Sequence, residues 1–160
     1  MTTISDLLEK ITKVTVGILL IVLTLNVLMQ VLSRQILKVP MVWTDEIARF
    51  SFIWLVFLGS SIQVKNKAHF AVTMISDNLK NKKWLNIIVY LCMLTVIIVL
   101  FIYGYKYTLM GLNKVSNALN IKMIWVYAAV PIGSLLMFIY IIELFLKELN
   151  IIKDSKSQIN

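Results

Sequence analysis

Marking every Lys, Arg, Asp and Glu along the chain leaves four long uncharged stretches: Val14–Ser33 of 20 residues, Phe50–Val64 of 15, Trp84–Tyr105 of 22 and Met123–Ile142 of 20. At about 1.5 Å per helical residue, three of them are long enough to cross a hydrocarbon core of roughly 30 Å. The second is short. It reaches spanning length if its helix begins near Thr44, with Thr44 as N-cap and Asp45 and Glu46 in the electropositive first turn. The pattern predicts an all-α integral membrane protein with four transmembrane helices, over about 14–34, 44–65, 84–105 and 123–142.

Composition excludes the soluble alternative. Of 160 residues, 59% are hydrophobic and only 15% charged, too few to cover a globular surface. Basic residues outnumber acidic ones 16 to 8, which in a soluble chain would suggest nucleic acid as a partner; here their placement between apolar stretches argues against it. Lys10 and Lys13 precede an apolar run as in a signal peptide, but the length of that run and the lack of a small-x-small cleavage site favour an uncleaved anchor. The N-terminus, the 65–83 loop and the C-terminal tail carry ten Lys, and the other two loops six Lys or Arg, so both termini are predicted to face the cytoplasm. Trp43, Tyr103, Tyr105, Tyr107, Trp125 and Tyr127 then form an outer aromatic belt and Trp84 and Tyr140 an inner one, although belts fit the inverse orientation equally well.

In the 65–83 loop, Ala68, Ala71, Val72, Ile75 and Leu79 recur at helical spacing with Lys67, Thr73, Asp77 and Lys80 on other faces. This predicts an amphipathic helix. It either lies in the headgroup layer with its lysines near anionic lipid or is a solvated connection. With no internal repeat and no Gly/Ser linker, residues 1–149 read as one four-helix membrane domain and 150–160 as a polar cytoplasmic tail.

Catalytic chemistry is missing from the pattern. One histidine, His69, cannot build a bis-histidine haem site or a His-based metal cluster. Cys92, the one cysteine, lies inside the third span, where a buried, inert thiol is expected. No Ser-His-Asp set or phosphate-binding glycine loop occurs, so an enzyme, a cofactor and a metal site are all unexpected. A self-sufficient transporter usually keeps an ionisable group at mid-membrane, and none of the four stretches holds one. Asn26, Gln30 and Arg34 share a face of the first span, as a polar path or as interhelical hydrogen-bonding groups. Gly59, Ser60 and Ser61, together with Ala129-x-x-x-Gly133, are places where another helix can approach closely, and Pro131 can bend the fourth span.

The segment Val42–Ser61 sets two acids and an arginine directly against an apolar run. Asp45 and Arg49 are spaced i, i+4 with the acid first, and Glu46 lies three residues from the same arginine. An exposed pair contributes only a few tenths of a kcal/mol, which leaves two readings: a helix cap, or a carboxylate reserved for a cation on a neighbouring chain.

These same residues resemble a family, the small, DctQ-like membrane subunit of tripartite ATP-independent periplasmic (TRAP) transporters. The resemblance lies in Arg34 ending the first span, Trp43-Thr44-Asp45-Glu46-Ile47-Ala48-Arg49 before the second, Phe57-Leu58-Gly59 within it and His69-Phe70-Ala71-Val72 after it. Family members often carry glycine before that histidine and aspartate four residues after it, where this chain has Ala68 and Thr73. The resemblance implies a subunit that carries neither substrate nor sodium but binds and steadies a large elevator-type membrane subunit. It also implies transient contact with a periplasmic substrate-binding protein, and sodium-driven uptake of an organic acid such as a C4-dicarboxylate or a sialic acid. Arg34, Trp43, Asp45, Glu46, Arg49, Gly59, His69, Ala129 and Gly133 become the expected interface or structural residues, and membrane lipid a further partner. Two alternatives stand beside it: a free-standing homo-oligomeric four-span transporter of a small cation or amphiphile, and a scaffold subunit of another membrane complex.

Overall fold

In hydrocarbon a backbone has no water to bond to, and a chain this apolar satisfies its amides within helices. The computed structural model describes the backbone of residues 2–39, 41–76 and 82–157, and the side chains of these residues other than 2–4, 37, 67–76, 82–87 and 147–157. Helix α1 (Thr2–Leu32) ends in a π-helical turn, Ser33–Leu37, and α2 runs over Val42–Ser76. Helix α3 (Lys82–Met110) closes in a 3-10 turn, Gly111–Asn113; a short α4 (Ile124–Tyr127) then leads into α5 (Ala129–Ser157). Four segments are long and apolar enough to cross a membrane: Ser5–Ile36, Val42–Asn66, Ile88–Asn113 and Ile124–Leu146. The protein is an all-helical, multi-pass membrane protein.

The four long helices form an open row. Helix α1 packs on α2, α2 on α5 and α5 on α3, while α1 barely meets α5 and α2 touches α3 only lightly. Tyr90 and Ile97 of α3 pack against Met137, Ile141 and Leu144 of α5, with Val64 of α2 at the margin. The Tyr90 and Phe145 rings meet edge to face at 6.1 Å. Helix α1 sits at the far edge, where no residue of its most apolar stretch is buried. Ile18, Ile21, Leu25 and Leu28 all lie open on it. Cys92 is also exposed on α3, contrary to the expected buried thiol: a row of helices has more lipid-facing surface than a closed bundle, and this position falls on it.

Two local expectations are corrected. Helix α2 begins at Val42, so Thr44 is not its N-cap; its buried hydroxyl turns back and donates to the Met41 carbonyl at 2.7 Å. Asp45 still occupies the first turn. Residues 65–76, expected in a separate amphipathic helix, continue α2 on the backbone without interruption. The side chains of 67–76 and all of 77–81, which would define an interfacial face, lie outside the described residues.

Candidate functional site

The end of the row where α1 meets α2 and α3 meets α4 gathers most of the polar residues singled out by sequence. Between α3 and α4 the chain makes a narrow loop. Val115 and Lys122 form an antiparallel bridge, the Ser116 amide donates to the Ile121 carbonyl at 2.9 Å and the Met123 amide to the Lys114 carbonyl at 2.9 Å. Asn120 takes the left-handed conformation at φ 53°, which asparagine tolerates better than most residues, and so lets the four residues between Ser116 and Ile121 reverse direction.

Glu46 closes this loop. Its carboxylate accepts the backbone N–H groups of Asn117, Ala118 and Leu119, each at 3.0 Å, and the Ser116 hydroxyl donates to the same group. One carboxylate thus satisfies the converging amides of a turn that follows it by seventy residues. Hydrogen bonds to a charged acceptor are stronger than those between neutral groups, so the loop is stapled to the start of α2 rather than merely resting on it. Thr108 and Trp54 add to the staple: the Thr108 hydroxyl lies between the Gly104 and Tyr127 carbonyls at 2.8 and 3.0 Å, and the Trp54 indole donates to the Trp125 carbonyl at 3.2 Å.

Asp45, one residue earlier, points elsewhere. Its carboxylate accepts the Arg49 guanidinium at 2.8 Å and, more weakly, the Gln30 amide of α1 at 3.5 Å. The Asp45–Arg49 pair is open, with side chains 53% and 64% exposed, and contributes little stability by itself. Of the polar face expected on α1, Gln30 therefore bonds between helices. Asn26 donates to the Val22 carbonyl of its own helix, and Arg34 lies exposed in the π-helical turn. Trp43 is exposed in the first turn of α2.

The small residues divide in the same way. Ala129 is fully buried, and a Cβ added at Gly133 would lie 2.7 Å from the Phe57 Cβ and 3.0 Å from its carbonyl oxygen, so α5 approaches the α2 backbone here as only glycine permits. Gly59 is different: among the described residues nothing lies within 4 Å of where its Cβ would be, so the close neighbour expected there is not among them. The backbone at His69 belongs to α2, and its side chain lies outside the described residues.

A second cluster, at the opposite end, escaped the sequence reading. Lys65 near the end of the α2 span donates to Asp6 at 2.8 Å and Glu9 at 2.7 Å of α1, and Glu9 also takes Lys13 at 2.5 Å. The Lys65 and Glu9 side chains are only 13% and 15% exposed, and the ammonium lies 5.4 Å from the centre of the buried Tyr140 ring of α5. One lysine thereby ties three helices together. Its only sequence signal was a cation directly after an apolar run, with two acids spaced i, i+3 on the preceding helix. Among the described residues, no group of acids, histidines and cysteines is arranged to hold a metal ion.

Comparison with known proteins adds a relationship to this geometry. Residues 23–150 match the family model described as tripartite ATP-independent periplasmic transporters, DctQ component. The chain is 29% identical over 136 residues to the sialic acid TRAP transporter small permease protein of Vibrio cholerae, covering 84% of this chain and 76% of that one. It is 29% identical over 117 residues to the sialic acid TRAP transporter permease protein of Haemophilus influenzae, and 32% identical over 108 residues to an isethionate TRAP transporter permease protein of Oleidesulfovibrio alaskensis. These matches cover 71% and 64% of this chain but only 19% and 17% of the two longer proteins.

Proposed function

Because the chain belongs to the DctQ component family of tripartite ATP-independent periplasmic transporters, we propose that it is the small scaffold subunit of a sodium-coupled TRAP transporter. In this reading it binds and steadies a large elevator-type membrane subunit and carries no substrate itself. The observation that bears most weight is the extent of the family match, which runs from within α1 into the last turns of α5 and so takes in every helix of the row. The two longer relatives, named as TRAP permeases in their own right, support a large membrane partner, since a segment like this chain forms a minor part of each.

The geometry suits a partner-binding role. An open row exposes both faces of its helices, and Gly59 offers a place for another backbone to come close. Asp45 and Arg49, earlier in the same helix, form an ion pair whose side chains are more than half exposed. Glu46 is committed to its own loop, so Asp45 is the carboxylate we assign to cross-subunit contact; Arg34, Trp43 and His69 are assigned to the same interface. Residues 1–149 act as one membrane domain in the bacterial inner membrane with 150–160 as its tail, both termini cytoplasmic, and the stapled loop outside, where a soluble substrate-binding protein docks transiently.

The substrate class we assign is an organic acid, a C4-dicarboxylate or a sialic acid, the latter in keeping with what two of the relatives are named for. Uptake of radiolabelled N-acetylneuraminate and succinate by cells lacking only this chain tests the reading. We expect sodium-dependent uptake of one of them to be lost and restored by the intact gene. Unchanged uptake of both organic acids would contradict it.

A further inference from the structure

We propose that the cleft between the α2 arginine and the stapled loop binds the headgroup of an anionic phospholipid. The cleft, of about 290 Å³, is lined by Arg49, Lys114 and the Glu46 staple together with Phe50, Met123 and Tyr127. Two cations in one cleft with apolar and aromatic side chains complement a lipid where its phosphate joins its acyl chains.

Depth and charge both favour this occupant. Arg49 lies seven residues into α2, about 10 Å along its axis from Val42, so it sits below the helix end, where headgroup phosphates are found. Its Nη2 donates to Asp45, and among the described residues its other N–H groups have no partner. A phosphodiester is the acceptor that a membrane supplies at that depth, and a guanidinium can hold it with two parallel hydrogen bonds. Lys114 forms no ion pair among the described residues and reaches the same cleft from the loop. At this end of the molecule six basic residues, Arg34, Lys38, Arg49, Lys106, Lys114 and Lys122, stand against two acids. Both acids are already used, Asp45 by Arg49 and Glu46 by four donors of the loop. The Glu46 staple therefore does two things for the site: it fixes Lys114 beside Arg49, and it surrounds its own negative charge with donors.

The test uses the complete complex, purified with this chain in place and exchanged into nanodiscs of dioleoylphosphatidylglycerol and dioleoylphosphatidylcholine mixed equally. Lipid retained on release into detergent is counted by native mass spectrometry. Wild type is expected to retain phosphatidylglycerol over phosphatidylcholine. In R49Q/K114Q that retention is expected to weaken roughly 10- to 30-fold, the effect of two basic residues at an anionic surface. K114Q, an exposed loop change that removes no internal contact, should give an intermediate loss and decides the matter if the double variant does not assemble. Equal retention of the two lipids by wild type, or retention unchanged in K114Q and the double variant, overturns the proposal. Displacement of the lipid by millimolar inorganic phosphate would also overturn it, because the site would then be one for small free anions.

Discussion

Asp45 and Glu46 are adjacent and chemically alike, yet one faces a side chain four residues away and the other a loop seventy residues away. Successive helical positions are about 100° apart, so neighbours necessarily look in different directions. Glu46→Gln keeps the size of the side chain but sets an NH2 group against amides that are themselves donors. We expect a looser loop, read as hydrogen exchange at Asn117–Leu119 faster by roughly tenfold with the helices unaffected; unchanged exchange would show the staple to be idle. The i, i+4 pairing of Asp45 with Arg49 was legible in sequence because it is local. The Glu46 staple was not, since nothing near Glu46 marks Ser116 as its partner and the loop carries no motif. The same reason hid Lys65, whose acids lie on another helix.

At the scale of elements, small residues separate packing within the chain from packing left open. Gly133→Leu drives a side chain into the Phe57 backbone, and overpacking of this kind costs about 1–3 kcal/mol. We expect a lower thermal midpoint for the purified protein in detergent. A Cβ at Gly59 meets nothing within 4 Å among the described residues, so Gly59→Leu is expected to leave that midpoint unchanged while weakening association with the large subunit. Equal effects of the two substitutions on the chain alone would contradict this division. The α1 helix depends on the ion cluster in a way its apolar surface cannot provide, because that surface is equally content in lipid. Lys65→Ala leaves Glu9 with Lys13 alone and removes the cation that links α2 to Asp6 and Glu9 of α1, and a loss of about 1.5–3 kcal/mol is expected. A midpoint equal to wild type would show the cluster to be ornamental. Sequence spacing marked Ala129 and Gly133 as a place for close approach, but it carried no information on which helix would approach.

For the whole molecule, four uncharged stretches were enough to establish four long apolar helices, because hydrocarbon leaves a chain of this composition few other ways to satisfy its amides. Their lateral order was not legible: each helix is apolar on most faces, so periodicity does not say which face packs on protein and which on lipid. The row of α1, α2, α5 and α3 comes instead from long-range contacts such as Phe57 with Gly133 and Lys65 with Glu9. The bias of Lys and Arg predicts cytoplasmic termini, and we expect Asn117→Cys in a Cys92→Ala background to react with an impermeant thiol reagent added to spheroplasts with an intact inner membrane. Labelling only after lysis would invert the topology. The central claim is that this chain works as part of a larger permease. It is tested most directly by tagging the chain in its native membrane, solubilising in mild detergent and identifying stoichiometric partners by mass spectrometry. We expect a single large multi-pass membrane protein at one-to-one stoichiometry; recovery of the chain alone, or only with copies of itself, would contradict the account.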